Sequence, residues 1–292
     1  MVDSRFIAKP WTDRAGRFSP LKAVVFVGIF IPAIMIMSSW ETRLLGPRPI
    51  TEAIRGTGDW TIRFLLLSLA ITPLRRIGNW PKLIQLRRML GLAALAYALT
   101  HLLLYITDQK WNLWHVGGEI ALRLYLTIGF TALLGLVALG LTSTDAMIKR
   151  LGRNWNRLHR IVYAIGVLGA IHFFMQTKAD VYQATLISGL FILLMLYRLA
   201  HWRGFSVSSP GILAGIALVA GLGTAAAELA WYGLATGIPP LRVFLANFNF
   251  AFQIRPSWWV VVVGLGVAGL AFVRPWLGEK RPVRREPMKV PA

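Results

Sequence analysis

The chain has 292 residues, 56% of them hydrophobic, and a mean hydropathy of +0.57, above what a soluble domain of this length carries. Its net charge of +20 comes from Lys and Arg clustered between long apolar runs, a pattern that membrane topology explains and that argues against nucleic acid as a partner. With no cysteine, disulfides, thiolate metal sites and Cys-ligated iron–sulfur clusters are excluded, so metal chemistry must rest on His, carboxylate or a cofactor.

At about 20 apolar residues per crossing, eight membrane helices are predicted in chain order: residues 21–40, 60–74, 89–107, 121–141, 158–176, 182–200, 211–233 and 257–276. The first follows a basic tail, 1–20, but its length and bulky end, without a small-x-small cleavage site, predict a retained helix rather than a signal peptide. The expected fold is an all-α polytopic transmembrane bundle. It divides into a six-helix core over 21–204, two additional helices over 205–277 and a basic tail over 278–292, with no stretch left for a soluble domain.

The basic residues orient this bundle. Twenty-three of the 32 Lys and Arg fall in the tails and in the segments 73–89, 142–160 and 197–210, all on the side of the N-terminus. Seven fall opposite: Arg43, Arg48, Arg55, Lys110, Lys178, Arg242 and Arg255, with Arg63 and Arg123 near the outer helix ends. The positive-inside rule then puts both termini in the cytoplasm, which requires an even number of spans.

Three of the five histidines, His101, His159 and His172, fall inside predicted helices, where an imidazole is costly and marks a function. Neutral imidazole nitrogen is a good haem ligand, and a b-type haem fills the space between facing helices. In the predicted orientation His101 lies about 9 Å before the outer end of its helix and His172 at similar depth, so the two can hold one haem from opposite faces. His159 lies about 20 Å away from His172, toward the cytoplasm, and is left for a second cofactor. In one straight helix His159 and His172 would be about 140° apart, so they would not face one groove. One haem spacing inward of His101 stand Arg87 and Arg88, suited to propionates or phosphates rather than to iron. The inner site is thus open between a haem with another or no sixth ligand, a flavin and a quinone.

His115 and His201 read as solvated loop residues, and Trp60, Trp80, Trp111, Trp114, Trp258, Trp259 and Trp276 as an interfacial belt. Glu228 is the one carboxylate expected within the membrane, where proton-coupled transporters need several. In the loop TSTDAMIKRLGRNWNRLHR, Ser143 or Thr144 can cap a short helix whose Lys149, Arg150 and Arg153 face anionic groups: an acidic, flavin-bearing donor or a cofactor phosphate.

The runs TGDWTIRFLLLSLAITPLRRI, RRMLGLAALAYALTHLLLY, GEIALRLYLTIGFTALLGLVALGLTSTDAM and LGRNWNRLHRIVYAIGVLGAIHFF closely resemble the MsrQ family, within the ferric-reductase-like transmembrane group, over about residues 20–202. The resemblance implies a ferric-reductase-like core and a bacterial inner-membrane cytochrome with one or two b-type haems. It implies electrons taken from a cytoplasmic NAD(P)H flavin reductase, with a quinone as the other donor considered, and passed to a periplasmic molybdopterin subunit that reduces methionine sulfoxide in oxidised proteins. It also implies FMN as a further cofactor and, from the motifs LTHLLLY, RLHRIVY and AIHFF, His101, His159 and His172 as haem ligands. The chain departs from the family in LRLY where many members have RPY, and in the extension over about 205–292. The rival expectations are a self-contained ferric or quinone reductase of the same fold and a non-haem transporter; in the leading one, substrate is reduced on the partner.

Overall fold

The computed structural model describes residues 9–13, 15–177, 180–251 and 253–274. The predicted tail 278–292, with Arg5, Arg14, Lys178 and Trp276, lies outside the described residues. The chain enters α1 (Pro20–Glu41), then α2 (Pro49–Ile77), a 3-10 turn (Pro81–Gln85) and α3 (Leu86–Asp108). It continues through α4 (Leu113–Leu122), α5 (Leu124–Leu141), α6 (Asp145–Leu151), α7 (Arg153–Leu158), α8 (Ile161–Thr177), α9 (Tyr182–Trp202), α10 (Pro210–Ala235), α11 (Pro240–Ala246) and α12 (Pro256–Val273). Proline opens α1, α2, α10, α11 and α12, where its missing N–H costs nothing and its fixed φ suits the first turn. Thr144 caps α6 by accepting from the Met147 N–H, whereas Ser143 donates back to Leu139; of the two expected caps, threonine is the one used.

Among the described residues seven helices are long and apolar enough to cross a membrane: α1, α3 with its leading 3-10 turn, α5, α7 joined to α8, α9, α10 and α12. The predicted second span corresponds to α2, which at 29 residues is long enough but carries Glu52, Arg55, Asp59, Arg63, Arg75 and Arg76. Its central apolar turns supply Ile62, Phe64, Leu65, Leu66 and Leu69 to the main core, against α3, α8 and α9. The polar ends thus lower its mean hydropathy without removing it from the bundle.

Two interior prolines show how polar groups are satisfied where water is scarce. Pro32 lies inside α1, and beside it the Tyr97 hydroxyl enters the helix, donating to the Ile29 carbonyl at 2.7 Å and accepting from the Ala33 N–H at 3.0 Å. This pins the otherwise exposed α1 to α3. Pro73 of α2 cannot donate to the Leu69 carbonyl four residues back, and Arg198 of α9 donates to it instead at 2.5 Å. Arg198, counted from sequence among the orienting charges, is therefore also a structural donor.

The additional helices α10 and α12 pack on α9. Gly189, Gly221 and Gly264 let this seam close, since a Cβ at each would collide with Thr224, Val261 and Ala217 respectively. Small residues at such crossings let backbones approach closely enough for dispersion to hold them. At the α12 N-terminus Arg255 pairs with Glu228, which is 1% exposed, so this buried carboxylate has a cationic partner.

Candidate functional site

His101 and His172 are held by the same local device, repeated on two helix pairs. The His101 ring of α3 donates from Nδ1 to the Ile54 carbonyl of α2 at 2.8 Å and lies against Gly58, four residues further on. The His172 ring of α8 donates from Nδ1 to the Tyr125 carbonyl of α5, also at 2.8 Å, and lies against Gly129, again four residues on. In both cases 47 residues separate the histidine from its acceptor. A carbonyl can only accept, so each Nδ1 carries the proton and each Nε2 keeps its lone pair, the arrangement that orients a metal-binding imidazole. A Cβ on Gly58 would approach the His101 ring to 3.1 Å, and one on Gly129 would reach 2.7 Å from His172; glycine is needed at both because the rings occupy that space.

The two half-buried rings face each other across the bundle, their centres 6.3 Å apart and their planes 88° to one another. Two imidazoles on opposite faces of one iron, with metal–nitrogen bonds of about 2 Å and about 1.1 Å from nitrogen to ring centre, have centres roughly 6 Å apart. The rings border a cavity of about 910 Å³, near the upper end of the roughly 300–1,000 Å³ range of ligand sites. Its walls include Ile62, Leu133, Leu136, Ile165 and Gly169, and its rim includes Arg55. Among the described residues no three His, Cys, Asp or Glu side chains gather to hold a metal ion. Two imidazole nitrogens without further protein ligands would suit a porphyrin, which supplies its own remaining nitrogens; the apolar walls would meet its faces, while Glu52, Asp59, Asp108 and Asp180 line the polar part of the cavity. The residues present therefore fit a haem.

His159 stands elsewhere. It ends α7, and a turn at His159 and Arg160 separates it from α8, so the single straight helix expected over 158–176 is broken there and the 140° relation does not apply. Its ring stacks on Trp155 at 3.9 Å, and its Nε2 lies 3.1 Å from the Thr142 hydroxyl. That hydroxyl also lies 2.7 Å from the Ala138 carbonyl, so the Nε2 of His159 is engaged by a side chain that is itself tied to the main chain. Trp155 closes the same corner by donating from Nε1 to the Thr142 carbonyl at 2.9 Å. His159 does not line the cavity between the other two histidines.

Arg87, Arg88 and Arg153 also lie away from that cavity, at the end of the bundle near His159. Arg88 pairs with Asp145 at the α6 N-terminus at 2.5 Å, Arg87 is within electrostatic reach of His159, and Arg153 is exposed at the start of α7. His115 and His201 are exposed. Sequence reasoning missed Gly58, Gly129 and the cavity-lining Arg55; a glycine 43 residues before each of the two histidines was the available signal for the first two.

The family described as Ferric reductase like transmembrane component matches residues 57–170, a range that holds His101 and His159 and stops two residues short of His172. The chain is similar to the protein-methionine-sulfoxide reductase heme-binding subunit MsrQ of Azospira oryzae, 39% identical over 189 residues, 64% of this chain and 79% of the relative. The subunit of the same name from Herminiimonas arsenicoxydans is 37% identical over 198 residues, 67% of this chain and 91% of that protein. The one from Xanthomonas campestris pv. campestris (strain 8004) is 44% identical over 163 residues, 56% of this chain and 74% of the relative. No solved structure matches the chain.

Proposed function

The chain belongs to the MsrQ family of multi-pass membrane proteins, and from that premise we propose that it carries electrons outward across the bacterial inner membrane on a b-type haem held by His101 and His172. The observation that carries this reading is the 6.3 Å separation of two imidazoles whose Nδ1 protons are both committed to main-chain carbonyls. When bound, the haem supplies one-electron chemistry at a potential set by its ligands and surroundings. The protein's part is positional: Ile54 and Tyr125 fix the tautomer and plane of each ring, Gly58 and Gly129 make room for them, and the apolar walls would pack on the faces of the bound group. Arg55 at the rim pairs with Glu52 at 2.8 Å and would have to exchange that carboxylate for a propionate.

The receiving end is cytoplasmic in this reading, as the distribution of Lys and Arg supports. There Arg87, Arg88, Arg153 and the exposed basic residues of α6 and α7 dock an acidic NAD(P)H flavin reductase and meet the phosphate of its FMN, with a quinone as the alternative donor. Electrons leave at the opposite face to a periplasmic molybdopterin subunit that reduces methionine sulfoxide for protein repair, so substrate chemistry is the partner's. The one-haem form of the reading has the better geometric support, because His159 would have to leave Thr142 before its Nε2 could bind iron.

Purified protein should show a Soret band and one haem per chain by pyridine haemochrome. NADH should reduce that haem only with a flavin reductase present, and the periplasmic subunit with methionine sulfoxide should reoxidise it. A sample without a Soret band would overturn the reading in favour of a non-haem transporter. Reoxidation by ferric salts or quinone but never by the periplasmic subunit would favour the self-contained reductase.

A further inference from the structure

We propose that Trp231, on the additional helix α10, is a positioning residue for His172, and that the two-helix extension braces one side of the haem site. The inference rests on the reading of His172 as a ligand. Phe174 follows His172 by two residues, about 200° around the helix, so it projects from nearly the opposite side of α8. On one side His172 presses against Gly129 and bonds to Tyr125 of α5; on the other, Phe174 packs against Trp231 with ring centres 5.1 Å apart. Helix α8 thus packs on α5 along its length and meets α10 at the level of the ligand through the Phe174–Trp231 ring contact.

This contact is continuous with the cavity wall. Phe173, which lines the cavity, packs with Trp231 and Tyr232 against a small buried cluster of Phe174, Val181 and Ala184, separate from the main core. The outer end of α10 is itself anchored. One turn before Trp231, Glu228 pairs with Arg255 at the start of α12. Ser257 donates to the Asn247 side chain at 2.6 Å, Trp258 donates to the Asn247 carbonyl at 2.7 Å, and Tyr182 donates to the Ile254 carbonyl at 3.0 Å. A ring packed at a tilt of 32° against Phe174, from a helix fixed at that end, resists movement of α8 away from α5, and with it the withdrawal of His172 from iron.

The test uses the full chain in detergent and carbon monoxide, which binds reduced haem only where an axial position opens. Wild type should resist it. Trp231→Leu, which keeps apolar bulk but removes the ring contact, should retain haem and show several-fold more of the CO-bound form, and Trp231→Phe should return to wild-type behaviour. Leu213→Ala, fully buried in the first turn of α10 and remote from His172, should lower the melting temperature without admitting CO. If Trp231→Leu does not accumulate, Phe174→Leu removes the other half of the same contact. Resistance equal to wild type in the variant that accumulates, or equal CO binding by Leu213→Ala, would overturn the brace. CO binding by unsubstituted protein would overturn the two-histidine reading, and the brace with it.

Discussion

His101 and His172 each give an Nδ1 proton to a main-chain carbonyl and keep Nε2 free, whereas His159 spends its Nε2 on Thr142 and lays its ring on Trp155. The first pair borders a cavity of about 910 Å³; the third fills a packed corner. All three are histidines of the same family motifs and, although His159 is less enclosed and lies near Arg87, residue type does not distinguish them. What does is the hydrogen bond to the second ring nitrogen: a main-chain carbonyl on Nδ1 prepares a ligand, and a hydroxyl on Nε2 occupies one.

That contrast can be broken most severely at the pair itself. Replacing His101 or His172 by Ala should remove nearly all haem, measured by pyridine haemochrome, while His159→Ala should leave the haem and slow its reduction by the donor about tenfold. Equal haem loss in all three would abolish the distinction. Next in size is Gly129→Ala, whose Cβ would meet His172 at 2.7 Å; haem content should fall several-fold, and Gly58→Ala, at 3.1 Å, should fall less. The reverse order would show that the two half-sites are not held as described. At the other end, Thr142→Val removes the hydrogen-bond partner of the His159 ring without touching the pair, so its Soret spectrum should match wild type while thermal stability drops by about 1–1.5 kcal/mol for one lost part-buried hydrogen bond. The smallest effect is expected from Tyr97→Phe, which withdraws the hydroxyl bridging α1 and should cost about 1 kcal/mol in thermal unfolding with haem content unchanged.

The apolar runs gave the long helices because crossing length follows from helix rise, and the histidines stood out because polar groups are scarce among them. The bonds to Ile54 and Tyr125 were hidden, since a main-chain acceptor leaves no residue signature. The turn at His159 was hidden too: Leu158, His159 and Arg160 include no proline or glycine, and the break is set by packing on Trp155 and Thr142. Charge patterning read Arg198 and Arg255 as topology markers, but each also answers a local need, one at the carbonyl orphaned by Pro73 and one at Glu228. In α2 the same polar residues that lowered its hydropathy carry Arg55 to the cavity rim.

The most direct test is electron paramagnetic resonance of the oxidised protein. Two imidazoles on one iron with planes 88° apart should give a strongly anisotropic low-spin signal, lost on replacing either His101 or His172 and kept on replacing His159. A high-spin signal from wild-type protein, or a low-spin signal that survives loss of His101 or His172, would contradict the account.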